Sequence, residues 1–195
     1  TGRYIYEKRP QAYRINNFLF NMLFPDTNGD NISQEIENRM NFGGVEAHLL
    51  DRKKNGDLLE VKFGNSYRKD FIKTSFNINQ GETSIESPTE YQNSLSFLTN
   101  DLYINGSYSL KLKGFSILSG LGIHKLYNIV EKSGNEEGNT PLFINPKLGF
   151  EWAIDKKNNL TGSATYNVTN FQAVDLLDNY YLTGYRLFTK GQESF

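Results

Sequence analysis

Apolar and polar residues alternate along residues 142–169, with one short polar interruption at 155–159. Apolar side chains share one parity between 142 and 152, and mostly polar side chains share the other. The same alternation resumes between 160 and 168. Because successive side chains of a strand point to opposite faces, this pattern predicts a hairpin with one apolar and one polar face.

Two further tight turns divide the chain in the same way. Asn55-Gly56 is a strong hairpin signal, and Lys113-Gly114 is a second tight turn between alternating strands. The strands beside the turns are about as long as the 9–11 residues that cross a bilayer. The three hairpins, within residues 42–169, therefore favour a transmembrane barrel with short turns on one side. One sheet of a soluble sandwich would show the same alternation.

The predicted fold is all-β, an antiparallel transmembrane β-barrel segment of about six to eight meandering strands. The side chains expected to face lipid share the apolar parity: Val45, Ala47, Leu49, Leu59, Val61, Phe63, Ile104, Tyr108, Leu110, Leu112, Ile117, Leu121, Ile123, Ile144, Leu148, Phe150, Trp152, Leu160, Ala164, Tyr166 and Val168. Those expected to face the lumen share the polar parity: Glu46, His48, Glu60, Lys62, Asn105, Ser107, Ser109, Lys111, Asn145, Lys147, Glu151, Thr161, Ser163, Thr165 and Asn167.

The rest of the chain is less regular, and residues 1–195 read as one partial barrel domain. Residues 1–40 are left open between strand and loop. Residues 65–101 predict a tall hairpin that rises above the membrane, and residues 129–141 predict an outer loop. Residues 170–195 predict a long outer loop and the start of the next strand.

Composition narrows the function classes. The net charge of −1 gives no electrostatic case for a nucleic-acid partner. Only 37% of residues are hydrophobic while 14% are aromatic, which suits strands with one apolar face and aromatic girdles. The chain has no cysteine, so disulfides, thiolate zinc sites and thiol nucleophiles are excluded. No serine–histidine–acid set is supported, and we expect no enzymatic activity.

One segment approximates a calcium-binding loop. Asp26, Asn28 and Asp30 occupy the first, third and fifth positions of the loop motif, and Glu37 occupies the twelfth. The same residues are also typical of a polar surface turn. Calcium is therefore a candidate ligand here, and no other cofactor is expected.

Exposed aromatic residues mark a second candidate site in the expected outer loop. Tyr180, Tyr181, Tyr185 and Arg186 could grip a sugar or a peptide ligand. They could equally pack loops together or contribute to the outer aromatic girdle. The two histidines, at 48 and 124, have the parity of the predicted lumen face and are expected to be unlinked.

A resemblance to a known protein family adds to the interpretation of the chain as a barrel segment. Residues 143–152 (FINPKLGFEW), the strand at 160–169 (LTGSATYNVT) and residues 187–191 (LFTKG) resemble the barrel of TonB-dependent outer-membrane transporters of the Bacteroidetes type. That family implies a barrel of about 22 strands around an N-terminal plug. It also implies energised nutrient uptake across the bacterial outer membrane. The implied partners are outer-membrane lipid, the rest of the barrel and its plug, an inner-membrane energy-transducing complex and a surface lipoprotein.

Two other functions remain open at this point. The chain could form a small complete outer-membrane barrel with a structural or adhesive role, or a structural subunit of an outer-membrane assembly. It could also be a soluble carbohydrate-binding β-sandwich, in which Phe150 and Trp152 would be buried between two sheets. The resemblance favours the first reading, a segment of a transporter barrel longer than this chain.

Overall fold

The computed structural model describes residues 1–16, 29–132, 134–184 and 187–191. Within these ranges the chain is almost entirely antiparallel β-structure, which confirms the predicted all-β class. The strands are β1 Gly2–Lys8, β2 Gln11–Asn16, β3 Asn31–Arg52, β4 Leu58–Gln80, β5 Thr83–Glu86, β6 Asn93–Leu112, β7 Phe115–Lys132, β8 Asn135–Asn139, β9 Leu142–Ala153, β10 Asn159–Thr165, β11 Tyr181–Gly184 and β12 Leu187–Thr189. Two short 3-10 helices span Thr89–Tyr91 and Ala173–Leu176.

The strands form one meandering sheet in the order β1-β3-β4-β6-β7-β9-β10. Strands β2, β5 and β8 extend it by pairing with β3, β4 and β7, and β11 pairs with β12 in a small second sheet. Over the described residues the large sheet is open, with β1 and β10 at its two edges. Two of the turns that join its strands carry Gly56 and Gly114 at φ 93° and 74°, where an L-residue is strained.

The central strands are much longer than a bilayer requires. Strand β3 has 22 residues and β4 has 23. At about 3.3 Å per residue each extends roughly 70 Å, more than twice the 30 Å of a hydrocarbon core. We call residues 45–52, 58–65, 102–112 and 115–125, with β9 and β10, the turn half. Residues 31–43, 67–80, 93–100 and 127–132 form the far half.

The two faces of the sheet exchange character between these halves. We call the side that carries Val61 the outer face and the side that carries Lys62 the inner face. In the turn half the outer face is apolar and the inner face is polar. In the far half the inner face carries the buried Ile72 and Phe76, whereas the outer face of the same strand carries the exposed Lys73.

The apolar inner face of the far half is covered by residues 170–184 and 187–191, which we call the crossing segment. Two buried clusters result: Ile32, Phe76, Ile78, Tyr91 and Leu182; and Ile72, Leu95, Phe97, Val130, Ala173, Leu176 and Leu177. Residues 170–195 were predicted to form a long outer loop; their described part is largely irregular but folds back onto the sheet, and whether it lies outside a membrane stays a prediction. The apolar side chains of this part pack onto the sheet because they gain burial there.

Two other regions whose sequence pattern is irregular contain strands. Residues 129–141 were predicted as an outer loop. In the structure β7 continues to Lys132 and β8 pairs with it, and whether this pair lies outside a membrane stays a prediction. Within residues 1–40, β1 and β2 pair along one edge of β3. Strands β4 and β6 pair as the hairpin predicted at 65–101, and its position above a membrane stays a prediction. No helix in the described parts of the chain is long and apolar enough to cross a membrane.

Candidate functional site: the two faces of the sheet

The register places the predicted lumen and lipid sets on opposite faces. Across the sheet, Glu46 is paired with Gly64, and that glycine is paired with Tyr103 on the inner face. Ala47 is paired with Phe63, which is paired with Ile104 on the outer face. Every predicted lumen residue within the paired strands lies on the inner face, and every predicted lipid residue within them lies on the outer face. Whether these faces meet water and lipid stays a prediction.

The outer face of the turn half is an apolar surface that no other described segment covers. The side chains of Val45, Phe63 and Leu148 are 65%, 61% and 56% exposed. Trp152 is 48% exposed and Phe150 is 40% exposed, whereas a sandwich would bury both. A contiguous apolar surface of this kind marks contact with another apolar medium or partner. We call this surface the apolar band.

The inner face of the turn half carries a polar network across four strands. The Tyr103 hydroxyl on β6 donates a hydrogen bond to Glu46 on β3 at 2.8 Å. The phenol ring stacks on His124 of β7, with ring centroids 5.5 Å apart. His124 Nδ1 lies 2.9 Å from a carboxylate oxygen of Asp101. These side chains cross-link neighbouring strands on the face predicted to be the lumen.

Gly64 makes this network possible, because Tyr103 reaches Glu46 by crossing the strand between them. A Cβ atom on Gly64 would lie 2.6 Å from the Tyr103 hydroxyl oxygen and 2.7 Å from the Val45 carbonyl oxygen. Only glycine leaves room for the ring at that position. Tyr103 has the polar-face parity, but sequence alone did not single it out, since its role depends on a glycine from another strand.

A second polar group lies nearer the turns. Glu60 is 2.9 Å from His48 Nε2 and 2.9 Å from Lys62 Nζ. His48 belongs to β3 and His124 belongs to β7, with β4 and β6 between them. The expectation that the two histidines are unlinked therefore agrees with the strand order. No group of three or more acidic, histidine or cysteine side chains able to hold a metal ion occurs in the described ranges.

The calcium prediction receives no geometric support from the two described ligands. Asp30 accepts hydrogen bonds from the backbone N–H of Gly81 and from the side-chain amide of Asn31. Glu37 lies further along β3, roughly 23 Å away at about 3.3 Å per residue, and pairs with Arg39. An extended strand between them cannot close a loop around one ion. Asp26 and Asn28 lie outside the described residues.

The crossing segment is held to the inner face by side chains that imitate strand pairing. Gln34 Nε2 donates to the Leu182 carbonyl at 3.0 Å, and Gln34 Oε1 accepts from the Leu182 N–H at 2.7 Å. Asn93 accepts from the N–H of Asn179 at 2.9 Å. These contacts join residues that are far apart in sequence, so no local sequence pattern predicts them.

The predicted ligand loop is only partly exposed. Tyr180 is 44% exposed and its ring lies 5.8 Å from that of Tyr91. Tyr181 packs against the core, and burial raises the pKa of its hydroxyl. For these two tyrosines the structure shows loop packing, one of the two alternatives. Tyr185 and Arg186 lie outside the described residues.

At the turn end, Asp57 joins two neighbouring hairpins. Its carboxylate accepts hydrogen bonds from the Lys111 N–H and the Tyr108 hydroxyl, each at 2.8 Å. The Asn55 side-chain amide donates a third at 2.7 Å. These donors, the Lys111 N–H first, hold the pKa of the Asp57 carboxyl below its usual range. The turns are thus cross-linked by a carboxylate whose ionised form is favoured by these donors.

Comparison of the chain with protein-family models, with curated proteins and with solved structures found no match. The functional argument therefore rests on the geometry of the two faces and on the resemblance carried by residues 143–169 and 187–191.

Proposed function

We propose that this chain is a segment of a TonB-dependent transporter barrel in a bacterial outer membrane. The exchange of faces between the turn half and the far half carries the proposal. An apolar outer face is favourable where it meets lipid or another apolar surface, and a polar outer face is favourable where it meets water. A strand that passes from the bilayer into the aqueous medium needs an apolar stretch followed by a polar stretch on the same side of the sheet.

The length of the apolar band supports the same interpretation. On β6 and β9 the apolar outer stretch runs over residues 102–112 and 142–152. Each is about 11 residues long, the length of a tilted bilayer-crossing strand. Tyr67 and Tyr127 lie on the outer face at the border with the far half, and Trp152 lies near the turn end. Aromatic residues at both borders are typical of membrane barrels.

Within this proposal the chain is a wall and a conduit, and it catalyses no bond-making step. The inner polar network would face the plug, and the crossing segment would narrow the lumen on the far side. The open edges at β1 and β10 would pair with further strands, because unpaired backbone groups are costly in lipid. Energised uptake of a nutrient is the activity that the resemblance adds.

Cysteine accessibility tests the membrane position directly, since the chain has no cysteine. In intact outer membranes, a water-soluble maleimide should label Lys62→Cys and spare its neighbour Val61→Cys. In the far half the pattern should reverse, with Lys73→Cys labelled and the buried Ile72→Cys spared. Equal labelling of Val61→Cys and Lys62→Cys would contradict a lipid-facing outer face.

Gel mobility with and without boiling separates the alternative functions. A heat-shifted band several times 22.3 kDa supports a large barrel of which this chain is one segment. A heat-shifted band near that mass favours a small complete barrel. A species that stays in solution without detergent would support the carbohydrate-binding sandwich and contradict both membrane interpretations.

A further inference from the structure

Three basic side chains lie together on the outer face, just beyond the apolar band. Lys8 of β1 is the register partner of Arg39 of β3. Lys69 of β4 is the register partner of Asn41, one outer-face position closer to the turns. All three are exposed. We call Lys8, Arg39 and Lys69 the basic patch.

The charges within this patch are only partly balanced. Like charges directly opposite each other on paired strands are destabilising, which is the situation of Lys8 and Arg39. Glu37 is shared between them: its carboxylate is 3.7 Å from Lys8 Nζ and accepts a hydrogen bond from Arg39 Nε at 2.8 Å. Lys73, the register partner of Glu37, adds a third positive charge beside the same carboxylate. One carboxylate thus faces three cations, and Lys69 has no described ion pair. An external anion would complete the balance.

The position of the patch indicates the kind of anion. Towards the turns, the next outer-face row contains Tyr4 and Tyr67, joined through Gly43 in the register. Tyr4 is 73% exposed. Beyond this row lies a surface groove of about 480 Å³ whose lining includes Val45, Phe63 and Leu102. Along the outer face the order is therefore apolar, aromatic and basic.

That order matches the acyl chains, interfacial region and phosphates of an anionic lipid. Basic residues beside a membrane attract such headgroups, and tyrosines favour the interface between them and the acyl region. Building on the membrane position proposed above, we propose that the basic patch binds the phosphate groups of an anionic lipid whose acyl chains lie along the apolar band. The patch shares the band's face, and a lipid is the partner that contacts both at once.

Binding to bisphosphorylated lipid A tests this proposal. The protein, purified in a non-ionic detergent, is titrated with this lipid and the bound lipid is counted by native mass spectrometry. Each basic residue beside an anionic headgroup contributes roughly fivefold in affinity. The variant Lys8→Gln/Arg39→Gln/Lys69→Gln should therefore bind roughly 100-fold more weakly. The control Lys53→Gln/Lys54→Gln/Lys113→Gln removes the same charge at the turn end and should bind like the wild type.

A single substitution that should raise the affinity keeps the proposal testable even if the triple variant misfolds. Glu37→Gln removes the carboxylate that competes for the basic patch, and it should strengthen binding of lipid A by roughly fivefold. A purely structural role of Glu37 would not raise the affinity. Dephosphorylated lipid A should bind the wild type and the triple variant equally, because only the phosphates are recognised.

Three results would overturn the proposal. They are equal lipid A affinity in the wild type and the triple variant, an effect as large in the turn-end control, or competition by millimolar inorganic pyrophosphate as strong as that of the lipid. Insertion into zwitterionic vesicles is measured in parallel. Insertion without a preference for lipid A would contradict lipid binding by the basic patch but would leave the proposed membrane position intact. Failure to insert would contradict both proposals.

Discussion

The phenol of Tyr103 on β6 lies across Gly64 on β4, and its hydroxyl donates a hydrogen bond of 2.8 Å to Glu46 on β3. The space above Gly64 is filled by this ring and not by a Cβ atom. The inner face is therefore cross-linked by side chains that lie flat along the sheet. In the turn half, where the described residues of this face form no buried apolar cluster, such cross-links help to fix the positions of neighbouring strands.

Replacing Gly64 by alanine should destabilise the sheet. The added methyl group would overlap the Tyr103 hydroxyl and the Val45 carbonyl, and overpacking of this kind costs about 1–3 kcal/mol. Gly106→Ala is the matched control, because a Cβ there meets no atom within 4 Å. Urea unfolding of the detergent-solubilised protein measures both. Equal stabilities for the two variants would show that the Tyr103 ring can move aside without loss.

A positive charge on the outer face should be costly where the face meets lipid. Leu148→Arg lies within the apolar band and should reduce stability in a bilayer by about 2–4 kcal/mol. Ser163→Arg lies on the inner face of the neighbouring strand, next to Ala164, the register partner of Leu148, and should be tolerated. The folded fraction in vesicles, read from heat-dependent gel mobility, gives both values. A harmless Leu148→Arg would argue against lipid contact at this position.

The Asp57 cross-link should make the turn end sensitive to acid. The folded pKa of Asp57 lies below its unfolded value, so its contribution to stability is complete above the unfolded pKa, about 3.8. That contribution is lost as the pH falls below this value and through the folded pKa. Between pH 7 and pH 2.5, Asp57→Asn should lose less stability than the wild type. Asp51→Asn makes the same charge change at a carboxylate with no described hydrogen bond, and an equal effect of both variants would contradict a specific role of the Asp57 cross-link.

The crossing segment should loosen when Gln34 cannot pair with it. Gln34→Leu keeps the approximate volume but removes both partners of the Leu182 backbone, and each buried group left unpaired costs about 1–3 kcal/mol. Amide hydrogen exchange at Leu182 should accelerate, while exchange in the turn half is unchanged. Gln80→Leu, at an exposed position of β4, is the control. Unchanged protection of Leu182 would mean that apolar packing alone holds the segment.

The turn half could be predicted from sequence because its information is local. Alternation fixes the parity of Leu148 and Lys147, and the turn at Asn55-Gly56 fixes the register of β3 against β4. The far half has the same alternation, for instance at Ile72, but parity alone does not say which medium or segment meets each face. Only the structure shows the apolar side turning inward there.

The crossing segment escaped prediction for a related reason. Ala173, Leu176 and Leu177 follow neither a strand nor a long-helix period, so they resemble an exposed loop in the sequence. Their burial depends on side chains such as Gln34 and Asn93, which are polar and give no core signal. The pairing of these elements is a long-range property, and a window of neighbouring residues does not contain it.

The contact between Gln34 and Leu182 spans 148 residues, and it sets an order for folding. The hairpins of the turn half close through neighbouring strands, so they can form as soon as each pair of strands exists. The core of the far half must wait for a segment that lies 148 residues further along the chain than Gln34. Until then its apolar inner face stays uncovered, which makes the unfinished far half the part of the described chain most prone to aggregate during folding.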